Sequence, residues 1–163
     1  MKEISRKIIL AGHFGVGKTS LVGRFVHHKF SEKYLTTIGV NIEKKVVNAG
    51  DTSVSLIIWD VAGEKALKRI NGSYFLGSNG IILVFDLTQP DTYQNIAEMV
   101  QTLKDRVQRE VPVVVVGNKR DLVNDNELAA IKAQIDHDIF AYTSAKTGEK
   151  VEDTFLSLTH QLV

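Results

Sequence analysis

The chain has 163 residues, 44% of them hydrophobic, and its 20 basic and 19 acidic residues leave a net charge of +1. This length and apolar content suffice for one buried core, so we expect a single domain over residues 1–163. The interspersed charges form neither a basic stripe for nucleic acid nor a polybasic segment for an anionic membrane. Because cysteine is absent, disulfides, cysteine-based zinc sites, prenylation and palmitoylation of this chain are excluded.

No apolar run approaches the length that spans a membrane, and lysine at position 2 removes the glycine that myristoylation needs. We therefore expect a cytoplasmic protein without a membrane anchor of its own. The balanced charge and the absence of heptads give no reason to expect more than a monomer.

Six segments have the pattern of β-strands: 6–11, 40–48, 53–59, 80–86, 112–117 and 138–143. Apolar runs fill 81–85 and 113–116, which is typical of strands with both faces covered by helices. The more polar segment 40–48 is joined to the next strand by a short turn, which predicts an antiparallel hairpin with 40–48 at the sheet edge.

Helical patterns alternate with these strands. A helix is expected after residue 19, then over 92–108 with Asp91 as N-cap, and over 126–135 and 149–162. The alternation predicts an α/β fold with a mostly parallel sheet and helices on both faces. Ligands of such sheets bind beyond the carboxyl ends of the strands.

Residues 12–19 read G-H-F-G-V-G-K-T, between the first strand and the first helix. This GxxxxGK[ST] spacing is typical of a phosphate-binding loop, in which backbone N–H groups surround an anion. Lys18 adds a point charge, and the Thr19 hydroxyl can bind Mg²⁺. A glycine-rich turn that ends in Lys-Thr by accident is the weaker interpretation. The expected nucleotide-binding residues here are Gly12, His13, Phe14, Gly15, Val16, Gly17, Lys18, Thr19 and Ser20.

Asp60 follows the apolar strand 53–59 and begins the segment D-V-A-G-E. Its carboxylate can hold the water shell of a Mg²⁺ bound by Thr19, and Gly63 allows close approach to a terminal phosphate. An aspartate after a strand often only caps a turn, but the upstream loop favours the metal role.

Two polar segments follow the last two strands, at 118–121 and 144–146. The Asp121 carboxylate can accept hydrogen bonds from N1–H and the 2-amino group of guanine, and an N–H at Ala145 prefers guanine O6. Adenine lacks these partners, so such a site rejects it by a factor on the order of 10⁴ to 10⁵. The stems of Lys119 and Lys146 can pack on the base faces. Asn118 and Ser144 complete the expected guanine set.

Five motifs, GHFGVGKT, YLTTIGV, WDVAGE, NKRD and SAKTG, occur in the order seen in the Ras superfamily of small GTPases, and the chain resembles the Rab branch most closely. The resemblance implies a six-stranded sheet with about five helices, GTP and GDP as ligands, Mg²⁺, and two nucleotide-sensing switch segments. It also implies that Thr37 is a further Mg²⁺ ligand and that Phe30 covers the guanine edge. From its own surroundings in the sequence, Phe30 is equally typical of core.

The chain departs from the family pattern at three places. Glu64 stands where the family has Gln; because a carboxylate only accepts and repels phosphate oxygens, we expect slow hydrolysis, with Lys18 and Thr37 as the other catalytic residues. Phe14 replaces a small residue, and either excludes an activating protein's arginine or packs on the second switch. The chain ends without a prenylated tail, which was either trimmed or never existed.

The resemblance implies effector, exchange-factor or activator binding through segments 34–43 and 61–76. Ile42, Trp59 and Tyr74 match an apolar patch between the switches, and Ala66, Leu67 and Ile70 are expected to form a stripe beside it. Two other functions stay open: a GTP-loaded scaffold with negligible turnover, and, less favoured, a P-loop kinase, which has no need of the guanine motifs.

Overall fold

The computed structural model describes residues 1–32, 39–63 and 67–163. Within these residues one sheet of six strands has the order β2-β3-β1-β4-β5-β6, in which only β2 runs antiparallel to its neighbour. The strands are β1 Lys2–Ala11, β2 Val40–Ala49, β3 Thr52–Val61, β4 Gly80–Asp86, β5 Val113–Asn118 and β6 Ala141–Tyr142. The predicted α/β fold with an antiparallel edge strand is confirmed.

The hairpin between β2 and β3 has the predicted form. Ala49 pairs with Thr52, so only Gly50 and Asp51 form the turn, and Gly50 has the positive φ of 62° that such a turn requires. β2 lies at the edge of the sheet with alternating exposure, whereas every residue of β4 is buried. The polar and apolar strand patterns are therefore explained by edge and central positions.

Four α-helices occur in the described part of the chain: α1 Lys18–His27, α2 Ile96–Val107, α3 Asp125–Gln134 and α4 Val151–Gln161. Successive residues of β1 point to opposite faces of the sheet, so Ile8 joins the core under α1 and α4, and Ile9 joins the core under α2 and α3. Phe25 of α1 stacks on Phe155 of α4 with 4.1 Å between ring centroids. The sheet is thus covered on both faces.

Three local predictions need correction. The helix expected from 92 begins at Ile96 and its N-cap is Asn95, not Asp91, because Pro90–Thr92 forms a 3₁₀ turn that the Thr92 hydroxyl closes by donating to the Gln89 carbonyl at 2.7 Å. The strand expected over 138–143 has two residues. In the described part of segment 61–76 the structure has 3₁₀ turns at Leu67–Arg69 and Gly72–Phe75, and the described residues hold four α-helices where about five were expected.

Across the described ranges, the structure has no helix that is both long and apolar enough to cross a bilayer.

Candidate functional site

The phosphate-loop motif lies between β1 and α1, at the carboxyl end of a central strand. Gly15 and Gly17 have φ angles of 81° and 101°, which glycine adopts without strain. A Cβ atom at Gly17 would lie 2.2 Å from Nδ2 of Asn118, so no larger residue fits there. The loop leads directly into the start of α1 at Lys18, and the N–H groups of such a loop and helix start favour an anion.

Lys18 is buried at the base of this loop, with only 6% of its surface exposed. Its ammonium donates to the carbonyl oxygens of Gly12, at 3.1 Å, and His13, at 3.0 Å. Burial lowers the pKa of Lys18 to about 8, and the charge of Asp60 partly opposes this shift. A second negative group beside the ammonium, such as a phosphate, would raise this pKa and favour the charged form further.

The Thr19 hydroxyl donates to Oδ2 of Asp60 at 2.6 Å, which joins the helix start to the end of β3. A hydroxyl and a carboxylate are the hard oxygen ligands that Mg²⁺ takes alongside phosphate oxygens and water. The described ranges hold no group of three or more His, Cys, Asp or Glu side chains that could bind a metal alone. These residues therefore fit a Mg²⁺ that arrives with a phosphate ligand.

Gly63 lies directly against the phosphate loop. A Cβ atom there would be 2.4 Å from both N and Cα of Phe14. The Phe14 side chain is 58% exposed, and it borders a small cavity of about 30 Å³ together with Lys18, Thr19 and Gly63. The close approach of segment 62–63 to the loop is thus possible only with glycine at this position.

A larger cavity of about 240 Å³ opens beside the loop. Its lining residues are Gly15, Gly17, Ser20, Phe30, Ser31, Glu32, Asn118, Lys119, Asp121, Leu122, Ala145 and Lys146. Five of the six residues predicted for guanine binding line this cavity, together with three of the nine predicted phosphate-loop residues. Phe30 is half-buried, packs against the core and also borders the cavity, and its role at the guanine edge stays a prediction.

Asn118 and Lys119 connect the two ends of the cavity. Asn118 Nδ2 donates to the Val16 carbonyl at 3.0 Å, while its Oδ1 accepts from the Thr143 hydroxyl at 3.0 Å. The Lys119 ammonium donates to the Gly15 carbonyl at 2.9 Å and pairs with buried Asp86 at 2.8 Å. The phosphate loop is thereby tied to the ends of β4 and β5 and to the loop after β6.

Asp121 is exposed to the cavity, and one of its carboxylate oxygens already accepts a hydrogen bond from the protein. The Ser144 hydroxyl donates to its Oδ1 at 2.8 Å, and Ser144 Oγ accepts from the Thr147 N–H at 3.0 Å. Ala145 is buried beside them, and the Lys146 ammonium pairs with Glu32 at 3.1 Å, a hydrogen bond that raises the pKa of Lys146. The predicted guanine-binding segments therefore meet at the carboxyl ends of β5 and β6.

Part of the cavity lining was not predicted from the sequence, and neither were two residues that hold the site together, Asp86 and Arg24. Asp86, which pairs with Lys119, follows an apolar strand as Asp60 does, so the same signal could have identified it. Arg24 of α1 donates to the carbonyls of Ala145 and Lys146, and no local pattern indicates this contact.

The predicted partner surface is present only in part. Ile42 is 49% exposed, and the half-buried rings of Trp59 and Tyr74 lie 6.0 Å apart. The expected stripe beside them is wrong for Leu67 and Ile70, because each is 4% exposed and belongs to the core under α2. Ala66, together with the predicted site residues Thr37 and Glu64, lies outside the described residues.

Comparison with known proteins covers nearly the whole chain. A profile of the Ras family matches residues 7–163. Rab-4 of Dictyostelium discoideum is 36% identical over 161 residues, which are 96% of this chain and 78% of the relative. Human Rab-4B is 34% identical over 96% of this chain and 76% of its own length, and human Rab-21 is 34% identical over 99% and 74%.

Ras and Rab proteins generally act with effectors, exchange factors and activating proteins. Their shared activity is hydrolysis of GTP, with GTP, GDP and Mg²⁺ as ligands. Since the family profile and these relatives both cover almost all of the chain, it belongs to the Ras family as a Rab-like small GTPase, a switch controlled by guanine nucleotide.

Proposed function

We propose that residues 1–163 form one GTP-binding domain in which the phosphate loop holds the phosphates and the loops after β5 and β6 read the base. The observation that carries this proposal is the Asn118 amide, which joins Val16 of the phosphate loop to Thr143 beside the guanine motifs. The backbone of residues 12–17, with Lys18, Thr19 and Ser20, surrounds the phosphates. Phe30 covers one side of the bound nucleotide.

For the base, Asp121 accepts from N1–H and the 2-amino group of guanine, and the N–H of Ala145 donates to O6. Ser144 supports this role because its hydroxyl fixes one oxygen of the Asp121 carboxylate. The stems of Lys119 and Lys146 flank the base. An adenine base would leave the Asp121 and Ala145 groups unpaired, which is costly in an enclosed site.

For the metal, we assign Thr19, Thr37 and Asp60 as ligands or as partners of its water shell. When bound, Mg²⁺ neutralises charge on the β- and γ-phosphates. Lys18 donates to the same phosphates from the base of the loop, and the Gly63 N–H approaches the terminal phosphate. Thr37 and Gly63 thereby connect the two switch segments to the presence of a γ-phosphate.

Glu64 is proposed as the residue that keeps hydrolysis slow. During the reaction, the oxygen of water bonds to the γ-phosphorus as the bond to the β–γ bridging oxygen breaks. A carboxylate near this centre repels the phosphate oxygens, whereas glutamine can both accept from the water and donate to them.

The test is single-turnover hydrolysis of bound GTP by the native protein and by Glu64→Gln. We expect the variant to be faster by about tenfold, since one transition-state hydrogen bond is added and one repulsion removed. Glu3→Gln, which changes an exposed glutamate of β1, serves as the charge-matched control and should leave the rate unchanged. Equal rates for native protein and Glu64→Gln would show that Glu64 does not limit hydrolysis.

Phe14 is proposed to exclude an activating protein's arginine from the γ-phosphate. Its exposure beside the small cavity at Lys18 and Gly63 supports this role. We expect a Rab-activating protein to accelerate hydrolysis by Phe14→Gly at least tenfold more than hydrolysis by the native protein. Equal acceleration of both proteins in the same assay contradicts the exclusion.

The same proposal places effector, exchange-factor or activator binding on segments 34–43 and 61–76, with Ile42, Trp59 and Tyr74 as its apolar centre. It also takes the protein to be a cytoplasmic monomer, in keeping with its balanced charge.

A further inference from the structure

We propose that Arg24 is a positioning residue for guanine recognition: it holds the loop 144–146 so that its backbone N–H groups face O6 of the base. This inference rests on the proposed assignment of that loop to the guanine. It adds a residue of the phosphate-loop helix to base selection, a role that neither the motifs nor their spacing indicate.

Arg24 makes two hydrogen bonds to this loop. The half-buried Arg24 lies on α1, and its Nε donates to the Ala145 carbonyl at 2.7 Å while Nη2 donates to the Lys146 carbonyl at 2.5 Å. A planar guanidinium holds two acceptors in a fixed relation, which a lysine ammonium cannot do. Because α1 begins at Lys18 of the phosphate loop, the two hydrogen bonds from Arg24 fix the position of loop 144–146 relative to the phosphate site.

These two hydrogen bonds also change the peptide groups that accept them. The Ala145 carbonyl and the Lys146 N–H belong to one peptide unit, so a charged donor on the carbonyl makes that N–H a stronger donor. The Lys146 carbonyl shares a peptide unit with the Thr147 N–H, which donates to Ser144 Oγ. The Ala145 N–H assigned to O6 lies one peptide unit before the first of these carbonyls, so Arg24 acts on it by fixing the backbone of the loop. Arg24 reaches Asp121 only through several bonds.

The loop has enough other bonds to persist without Arg24. The Ser144 N–H donates to the Glu149 carbonyl at 3.1 Å, and the Gly148 N–H donates to the Ser144 carbonyl at 2.8 Å. Asp121 stands on its own turn, where the Arg120 N–H donates to the Thr143 carbonyl at 2.9 Å. Removing Arg24 should thus loosen the O6 contact while the Asp121 contact is retained.

The experiment measures competition against a fluorescent GDP derivative with Mg²⁺ present. The competitors are GDP, inosine diphosphate, which lacks the 2-amino group, and 2-aminopurine riboside diphosphate, which lacks both O6 and N1–H. Inosine diphosphate keeps O6, so its competition reports on Asp121 and separates that contact from the O6 contact. For Arg24→Met we expect the preference for GDP over the 2-aminopurine compound to fall about tenfold, and the preference for GDP over inosine diphosphate to change less than threefold. Arg24→Lys, which keeps the charge but has a single donor nitrogen, should give a smaller fall in the first preference.

Arg6→Met is the matched control, because Arg6 Nε also donates to a distant backbone carbonyl, that of Leu162 at 2.7 Å, away from the cavity. It should keep both preferences. The proposal is overturned if the first preference persists in Arg24→Met, or if both preferences fall equally. If Arg24→Met does not fold, the same two preferences are measured for Arg24→Lys, and an unchanged first preference or equal falls in both overturn the proposal. A native protein that binds inosine diphosphate as tightly as GDP would instead refute the assigned role of Asp121.

Discussion

Asn118 shows how much of this site depends on single atoms. Its amide nitrogen bonds Val16 and its amide oxygen accepts from Thr143, so both polar ends of one buried side chain are used. A Cβ atom on Gly17 would lie only 2.2 Å from this nitrogen. The glycine in the loop and the asparagine after β5 are therefore required together, because one provides the space that the other occupies.

Lys18 gives a prediction on pH. Its pKa is lowered to about 8 in the ligand-free protein, and bound phosphates favour the charged ammonium and raise that pKa. Nucleotide binding at pH 8 should therefore take up about half a proton, and affinity should fall as pH rises through about 8. Calorimetric titration with GDP in two buffers of different ionisation enthalpy measures this uptake.

Lys7→Met is the control for this measurement. Burial also lowers the pKa of Lys7, but its ammonium lies 3.7 Å over the Trp59 ring rather than in the phosphate loop. The uptake should be unchanged in this variant. Zero uptake by the native protein at pH 8 would show that Lys18 keeps one protonation state on binding.

Individual helices differ in how their first turns are bonded. Before α3, the Asn124 side chain accepts from the Glu127 N–H at 2.8 Å, and Glu127 accepts from the Asn124 N–H at 3.0 Å. Before α2, Asn95 makes no such side-chain bond. The same residue type thus stabilises one helix start and not the other.

Asn124→Ala should lower the free energy of unfolding by about 1 kcal/mol, because the Glu127 N–H at the start of α3 loses its side-chain acceptor. Asn95→Ala should change it by less than about 0.5 kcal/mol. Urea unfolding of both variants and the native protein, with the same GDP and Mg²⁺ concentrations, measures the difference. Equal losses in the two variants would contradict the capping argument.

For the molecule as a whole, strand order sets the place of the site. β1 lies between β3 and β4, so the phosphate loop has the end of β3 with Asp60 on one side and the end of β4 with Asp86 on the other. Ligands of open α/β sheets bind where the chain departs from a central strand in this way. The exposed β2 edge lies on the far side of β3 from this site, and it is where partner binding is proposed.

A surface substitution tests that proposed use of β2. Ile42→Asp should reduce binding of a Rab effector to the GTP-loaded protein at least tenfold, because it puts a charge in an apolar contact. Val46→Asp is the control, since Val46 is also exposed on the same strand face but lies outside segment 34–43. Pull-down and titration with GTP- and GDP-loaded protein measure the effect. Equal losses in both variants would place the contact elsewhere.

Much of the fold followed from local pattern, and the exceptions have identifiable causes. The all-apolar β4 and the polar β2 were predicted because strand composition reflects which faces are covered. The start of α2 was missed because Thr92, with helical spacing, instead closes a turn through its hydroxyl. Leu67 and Ile70 were assigned to the surface because apolar spacing alone does not say which face of a segment the core covers.

The sequence by itself determined the nucleotide motifs, their order and the fold class, since each depends on residues close together in the chain. Only the tertiary structure showed that Arg24 reaches the loop at 145–146 and that Asp86 holds Lys119. Those contacts join residues far apart in the chain. These contacts exist because helix docking and strand order bring the residues within hydrogen-bond distance. Neither can be inferred from the spacing of residues within one segment.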